Sequence, residues 1–369
     1  MDGNNQLLSL PDADEQRQEA GLKRSAPPES DSMKLIRRLD RSPQRYTSEI
    51  SHPSIHNMPS GRHAEPPTEL LNAFPEHHHA TFTQDNLTAW DAIADWWESS
   101  QSPEVDGKAE DGNDMFTQCL LPVVDELAEW KAGESVLDLG AGSGIIARRF
   151  AMKGANVTGL DSSQKMLDKG RERNEKERHL LKGSIQYDYI DLTHLGNMQN
   201  YMKQRENTRL PSSEVRFDII TISTTLKSLP TLEPLAKALP EMLKPHGRSI
   251  VIVDLHPAFS KPAGHRGMEI FEDPTTGKQQ LSTYIKVPNY LNIPPSRSEA
   301  VRGQPEPLWV FHRPFWALMD PFFRNQLVLD GMREPAFEGK PVLSQAQSYH
   351  NFQQTPMLLA FRLRHVSRT

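Results

Sequence analysis

Cysteine is almost missing from this chain: among 369 residues there is only Cys119. That excludes an intrachain disulfide framework and a cysteine-only zinc cluster, and it suits a reducing compartment. Long apolar runs are missing as well. No stretch approaches the roughly 18 to 20 consecutive apolar residues of a membrane-crossing helix. The opening MDGNNQLLSLPDADEQ lacks both the apolar core of a secretory signal and the arginine-rich character of a transit peptide. Nor is there a basic excess: 42 Lys and Arg stand against 48 Asp and Glu, a formal net charge of -6. Without a field to hold a polyanion, a dedicated nucleic-acid binder is disfavoured. The expectation is a cytoplasmic protein that contacts no membrane. Lys23, Arg24 and the segment from Lys34 to Arg41 raise a nuclear destination as the alternative. Oligomeric state leaves no signature.

The hydrophobic fraction is 36% and mean hydropathy -0.62, so part of the chain is unable to bury a core. Residues 1–81, rich in Pro, Ser and charge, are expected to form a disordered arm. His77, His78 and His79 are adjacent imidazoles on such a chain and lack a fixed geometry, so no metal site is expected. One ordered domain is expected over residues 82–369. Its first part, 82–134, reads as two helices. Trp90, Ile93, Ala94 and Trp97 recur at helical spacing, and a second helix is expected from about Met115 to Trp130.

Then the period changes. Strands are expected at Ser135–Leu139, Val157–Leu160, Ile185–Ile190, Phe217–Ser223 and Ser249–Asp254. Helices are expected at Ile145–Lys153, Gln164–Lys176 and Leu232–Leu243. Nearly continuous apolar strands alternating with helices indicate an α/β fold with a parallel sheet covered on both faces. Residues 255–312 are irregular and proline-bearing, and read as a substrate-side insertion or lid. A helix at Arg313–Asn325, kinked or shortened by Pro321, and strands at Leu327–Glu334 and Met357–Val366 complete the chain.

The strongest chemical signal is VLDLGAGSG, Val136–Gly144, placed between a strand and a helix. A sharp turn with close backbone approach to a ligand needs residues without a Cβ. Amides opening the next helix could then donate to that ligand. Asp161 closes the following strand about 20 residues on, where a carboxylate can take two ribose hydroxyls. The spacing is G-x-G-x-G, with Ile145 standing where a dinucleotide fingerprint has its third glycine. Asp138, two residues upstream, can help organise a pole for an ammonium. The site therefore suits a zwitterionic tail better than a diphosphate, and no lysine follows the glycines to make a phosphate loop.

The segments DLGAGSG, VTGLDSS and YIDL resemble those of class I S-adenosylmethionine-dependent methyltransferases. Within them the likeness is to the small-molecule branch that includes ubiquinone- and menaquinone-biosynthesis-type enzymes, and it runs from about Leu87 to the C-terminus. The resemblance implies an open, mostly parallel seven-stranded sheet with helices on both faces, its last strand antiparallel, and S-adenosylmethionine as cofactor. It implies that Gly140, Ala141, Gly142, Ser143 and Gly144 surround the methionine portion. Asp161 would hold the ribose and Asp191 would meet the adenine amino group, with Ser162, Met166 and Leu192 also at the cofactor and Ser223 through Leu226 lining its far side. It further implies that the first helix folds over the cofactor, bringing Trp90, Trp96 or Trp97 to it. Gly112, Asn113 and Asp114 either cap the second helix or touch the amino-acid end.

Methyl transfer from a sulfonium requires alignment, exclusion of water and, for some acceptors, removal of a proton. Candidate bases are His256, after the fifth expected strand, and His312, with His265 and Tyr284 as further options. His256-Pro257 could equally do no more than shape the chain leaving the strand. Trp97, Leu226 and Tyr284 are expected on the substrate side. Phe259, Tyr290, Trp309, Phe311, Phe315 and Trp316 either wall an acceptor pocket or belong to the core. Cys119 sits too early to be a nucleophile. The Ser223–Leu226 sequence S-T-T-L is not the Asn/Asp-Pro-Pro-aromatic loop used on adenine or glutamine nitrogens. The expected function is methyl transfer to a small-molecule acceptor. The alternatives are a protein or regulatory methyltransferase using the arm, an inactive cofactor-binding protein and, more remotely, a nicotinamide oxidoreductase.

Overall fold

The computed structural model describes residues 76–101, 104–105, 108–109, 114–208, 215–244, 249–342, 345–346 and 348–366. Most of the expected arm, the basic residues Lys23 and Arg24, the segment from Lys34 to Arg41, and Gly112 and Asn113 lie outside them. Helix α1 spans Glu76–Gln101, so residues 76–81 are helical where the arm was expected to continue.

The main sheet is built from β1 (Ser135–Leu139), β2 (Asn156–Asp161), β3 (Ser184–Tyr189), β4 (Ile219–Ser223) and β5 (Ser249–Leu255). Two strands near the end of the chain join it. These are β10 (Leu327–Arg333) and β11 (Leu358–His365), numbered after four short insertion strands introduced below. The order across the seven strands is β10-β11-β5-β4-β1-β2-β3. Neighbours among β1 to β5 are parallel. The last strand, β11, runs antiparallel between β5 and β10. The expected topology is therefore found.

Helices α3 (Ile145–Lys153), α4 (Gln164–Lys176), α5 (Leu195–Glu206) and α6 (Glu233–Met242) connect the parallel strands. Both sheet faces carry an apolar layer, one around Ile220, Ile252 and Phe361, the other around Phe150, Val251 and Ala360. That is why β4 is buried at every position. Gly154 ends α3 with φ 108°, and the Ser163 hydroxyl caps α4 by accepting from Met166 N–H.

Three elements differ from expectation. The helix expected from Met115 begins as a π-helix, Met115–Leu120, and becomes α-helical only in α2, Leu121–Ala128. Pro122 has no N–H to return to Gln118 four residues back, and the wider turn absorbs the missing bond. It stops at Glu129, whose φ is 47°. The insertion is not structureless. It holds the hairpin β6 (His265–Glu272) and β7 (Gln279–Lys286), and a short antiparallel pair, β8 (Ser296–Ser298) and β9 (Leu308–Val310). Helix α7, Phe315–Arg324, keeps Pro321 inside it.

Candidate active site

At the carboxyl edge of β1 the chain turns through Gly140, Gly142 and Gly144, with φ of 70°, 54° and 84°. These are left-handed conformations that only glycine adopts without strain. The turn hooks onto the end of β2: Gly140 N–H and Ala141 N–H donate to Leu160 O at 2.8 and 3.0 Å. Gly142 N–H donates to Asp161 Oδ2 at 2.8 Å, and Gly144 N–H to Ala141 O. The amides of Gly140, Ala141, Gly142 and Gly144 are thus spent on holding the turn itself. A Cβ on Gly140 would stand 2.3 Å from Thr225 Oγ1, and one on Gly144 1.8 Å from the Tyr187 hydroxyl. The same tyrosine ring fills the Cβ space of Gly159 and Gly170. Gly144 therefore serves packing and does not line the cavity, a correction to its expected place around the cofactor.

The cavity that opens beside this turn is lined by Asp138, Gly140, Ala141, Gly142, Ser143, Asp161, Ser162, Met166, Asp191, Leu192 and Ser223. Trp90 and Trp97 of α1, Phe116 of the π-helix, and Thr224, Thr225, Ser228 and Leu229 beyond β4 enclose it further. Except for Gly144, the residues expected at the cofactor thus share one cavity. Trp96 does not reach it, whereas Trp90 and Trp97 do, edge to face at 5.0 Å. Leu226 is packed into the core. Tyr284 lies on β7, its ring against Gly267, and does not line the cavity.

Three carboxylates give the cavity its charge, and among the described residues no lysine, arginine or histidine lines it. Asp138 is 1% exposed. Its Oδ1 accepts from the Thr221 hydroxyl at 2.9 Å, which is why a polar residue is buried in β4. Its Oδ2 has no partner among the described residues. Burial first, and then the neighbouring Asp161, pushes its carboxyl up to about 7. Asp161 is raised by burial too, against the backbone N–H groups of Ser163, Gly142 and Ser162 that hold its charged form. Asp191 Oδ1 accepts from Thr193 N–H and Oγ–H at 2.8 and 2.7 Å. It thus shapes the turn into α5 and also faces the cavity. Ser143 Oγ and Ser223 Oγ are buried without a partner among the described residues.

Sequence reasoning missed how α1 is fastened. Asp91 accepts from the Ser163 hydroxyl at 2.5 Å. Asp95 and Glu98, one and two turns further on, pair with Lys169 and Arg173 of α4. At the other end, Asn86 Nδ2 donates to Ser228 O and Trp309 O, and its Oδ1 accepts from Trp309 N–H at 2.7 Å. Phe82 packs edge-on against Trp309 and Phe311. The helical spacing of Asp91, Asp95 and Glu98 was a legible signal; the partners of Asn86, 142 residues away at Ser228 and 223 away at Trp309 in β9, were not.

The candidate bases stand apart from the cavity. His256 Nε2 donates to Glu334 Oε1 at 3.0 Å. Its Nδ1 accepts from Ala258 and Phe259 N–H at 3.1 and 3.3 Å, and its ring stacks on Phe259. Both nitrogens are occupied, the arrangement in which His256-Pro257 shapes the chain leaving β5. His312 Nε2 lies 2.6 Å from Tyr290 O, which makes that nitrogen the donor. Its Nδ1 is buried without a partner among the described residues. Burial, then Lys227 and Arg313, keep this imidazole below its usual range. His265 is exposed on β6. Cys119 is buried in the π-helix, and burial, with Asp114 and Glu338 nearby, pushes its thiol up to about 11. The aromatic group expected as a pocket wall is scattered: Trp309 and Phe311 pack on α1, while Phe315 is 38% exposed.

A seven-stranded doubly wound sheet, a glycine turn at the first strand and a carboxylate closing the second define a nucleoside-binding α/β domain. Residues 137–249 match the sequence family described as "Methyltransferase domain". The chain is 28% identical over 165 residues to the ubiquinone biosynthesis O-methyltransferase of Pasteurella multocida, which is 44% of this chain and 62% of that protein. It is 30% identical over 127 residues to the enzyme of the same name from Shewanella pealeana, 34% of this chain and 46% of that one. It thus spans less than two thirds of these relatives. Among solved structures, an S-adenosylmethionine-dependent methyltransferase from Mesorhizobium loti covers 66% of this chain and 96% of its own, at 22% identity and a TM-score of 0.46. The methyltransferase match over residues 137–249 and the seven-stranded order are those of class I S-adenosylmethionine-dependent methyltransferases, enzymes that use S-adenosylmethionine as cofactor.

The residues present fit that cofactor. A buried carboxylate oxygen and two buried hydroxyls without partners, in a cavity free of cations, suit a ligand that brings its own positive charge. Among the described lining residues a pyrophosphate would meet three acids and no cation.

Proposed function

We propose that the protein transfers a methyl group to a small-molecule acceptor. The observation that carries this is the cation-free cavity in which Asp138 Oδ2 is buried and unpaired beside Asp161. A sulfonium bearing an ammonium supplies the charge those acids want, and when bound it supplies the methyl group. In this reading Asp138 orients the ammonium, directly or through water. Asp161, held rigid by Gly142 and Ser163 N–H, takes the ribose hydroxyls. Asp191 and Leu192 border the base, and Trp90 and Trp97 exclude water from above. Small size of the acceptor is supported by the relatives, which are O-methyltransferases of ubiquinone biosynthesis by name. We place the activity in the cytoplasm, a reading supported by the single buried cysteine. Among the described residues no helix is long and apolar enough to cross a membrane.

A labelled-methyl screen across phenols, acids, amines and thiols tests the activity. Asp161→Ala should weaken cofactor binding by about 1.5 to 3 kcal/mol in titration calorimetry, through lost charge-assisted hydrogen bonds. Undiminished affinity would remove the ribose role, and tight binding of a nicotinamide nucleotide instead would end the methyltransferase reading.

A further inference from the structure

We propose that Arg148 is a positioning residue for the cofactor: it ties the glycine turn to helix α1, so that seating a ligand on the one and docking the other go together. The inference rests on the cofactor reading above and concerns how that site is held.

Arg148 lies in the first turn of α3, one residue before Arg149, which pairs with Asp125. Arg148 itself is 0% exposed. A guanidinium so placed is costly unless partners surround it. Its planar fork serves two directions at once. Nη1 donates to Ser143 O at 2.6 Å, and Nε forms an ion pair with Glu177 Oε2 at 3.7 Å. From there a chain of charges runs on. Glu177 Oε1 accepts from Arg173 Nε at 2.9 Å, and Arg173 Nη1 donates to Glu98 Oε1 at 3.1 Å. Arg173 is buried as well. Two guanidiniums and two carboxylates thus alternate from the turn after β1, past the end of α4, to the last part of α1.

Both ends of this chain meet the cavity. At one, the carbonyl that Arg148 holds belongs to Ser143, whose hydroxyl is buried in the cavity wall without a partner among the described residues. Fixing that peptide plane fixes where the hydroxyl stands. At the other, Glu98 adjoins Trp97, which lines the same cavity. In so dry a setting each charge depends on its neighbours for compensation, and loosening one link is felt along the chain. The pair of Asp95 and Lys169, also between α1 and α4, is open to solvent and is screened.

With α1 docked, Arg173 and Glu177 hold Arg148, and Arg148 holds Ser143 ready for the ligand. A cofactor that engages the Ser143 hydroxyl and Trp97 favours the same arrangement, and by reciprocity strengthens the hold on α1.

A double-mutant cycle on the full chain, read as S-adenosylhomocysteine affinity by titration calorimetry, tests the tie without turnover. Glu98 and Ser143 share no hydrogen bond or ion pair among the described residues. Ser143→Ala and Glu98→Gln should each weaken binding about fivefold. Together, independent sites would give about 25-fold, and tied ones about tenfold or less. Arg148→Lys keeps a positive charge beside Glu177 but lacks the second arm of the fork. In that background the two substitutions should become additive. Should Arg148→Lys fail to fold, Glu177→Gln cuts the chain one link on and carries the same expectation. A merely structural ion-pair chain would lower Tm and leave the two substitutions additive in affinity in the parent, which overturns the proposal. So does non-additivity that survives cutting the chain, or parental affinity in Ser143→Ala or Glu98→Gln. A parent that binds no S-adenosylhomocysteine overturns the cofactor reading instead.

Discussion

Asp138 is the residue whose chemistry can be read most directly in solution. Unfolded, its carboxyl ionises near 4; folded and empty, near 7. Between those limits the folded state keeps a proton that the unfolded state has lost, so the group subtracts stability as pH rises through that window. Asp138→Asn removes the penalty. Without cofactor, melting curves of parent and variant should nearly coincide near pH 4.5 and separate toward pH 8, the variant melting higher by about 4 °C or more. A gap that stays constant would mean that Asp138 is paired with a cation in solution. Because an ammonium favours the ionised form, cofactor affinity of the parent should rise with pH through about 7, and the variant should lose that slope.

The glycines offer a second residue-scale contrast. At Gly142 an added Cβ would come 3.2 Å from Met166 Cε, the end of a flexible side chain lining the cavity. At Gly144 it would run into the Tyr187 hydroxyl. Gly142→Ala should therefore lower cofactor affinity about tenfold with a modest change in Tm, whereas Gly144→Ala should cost on the order of 2 kcal/mol or more of stability. Calorimetric titration and thermal melts separate the two. The motif that announces both glycines could not tell them apart, because Tyr187 lies over 40 residues on, in β3.

At the scale of elements, legibility followed burial. The bounds of β1, α3 and α4 agree with expectation because their apolar runs are closed by glycine or by a serine cap. The hairpin β6–β7 escaped notice since HRGMEIFE and QQLSTYIK show no sustained alternation, and its strands are largely exposed. The first three turns of α1, EHHHATFTQDNL, carry no apolar stripe; they are helical because Phe82 and Asn86 find partners in β9 and after it. Asn86 is 5% exposed and bonds three backbone groups. Asn86→Ala should destabilise the fold by about 1 to 3 kcal/mol, since Trp309 N–H and two carbonyls lose their partner. It should also speed cofactor release, seen in stopped-flow displacement. Release at the parental rate would mean that α1 is held by its α4 contacts alone.

For the whole molecule, the sheet order and the cofactor end were written locally, in strands and a nine-residue motif. The fastening of α1 was not: Asn86, Ser228 and Trp309 lie far apart in the chain and meet only through topology. If the acceptor is a small molecule, removing residues 1–75 should leave cofactor affinity and methyl transfer within about twofold of the full chain, as expected for independent segments. Activity on a protein partner that vanishes with that segment would favour the regulatory alternative.

Tyr187 shapes how this scaffold can change over generations. One phenol occupies the room that side chains would need at three backbone positions in a turn, a strand and a helix. Substituting any of those glycines first brings a collision, and shrinking the phenol first leaves a hollow. Descendants should therefore hold all four unchanged, or show them exchanged as a set, and a lineage that varies just one should betray compensation nearby.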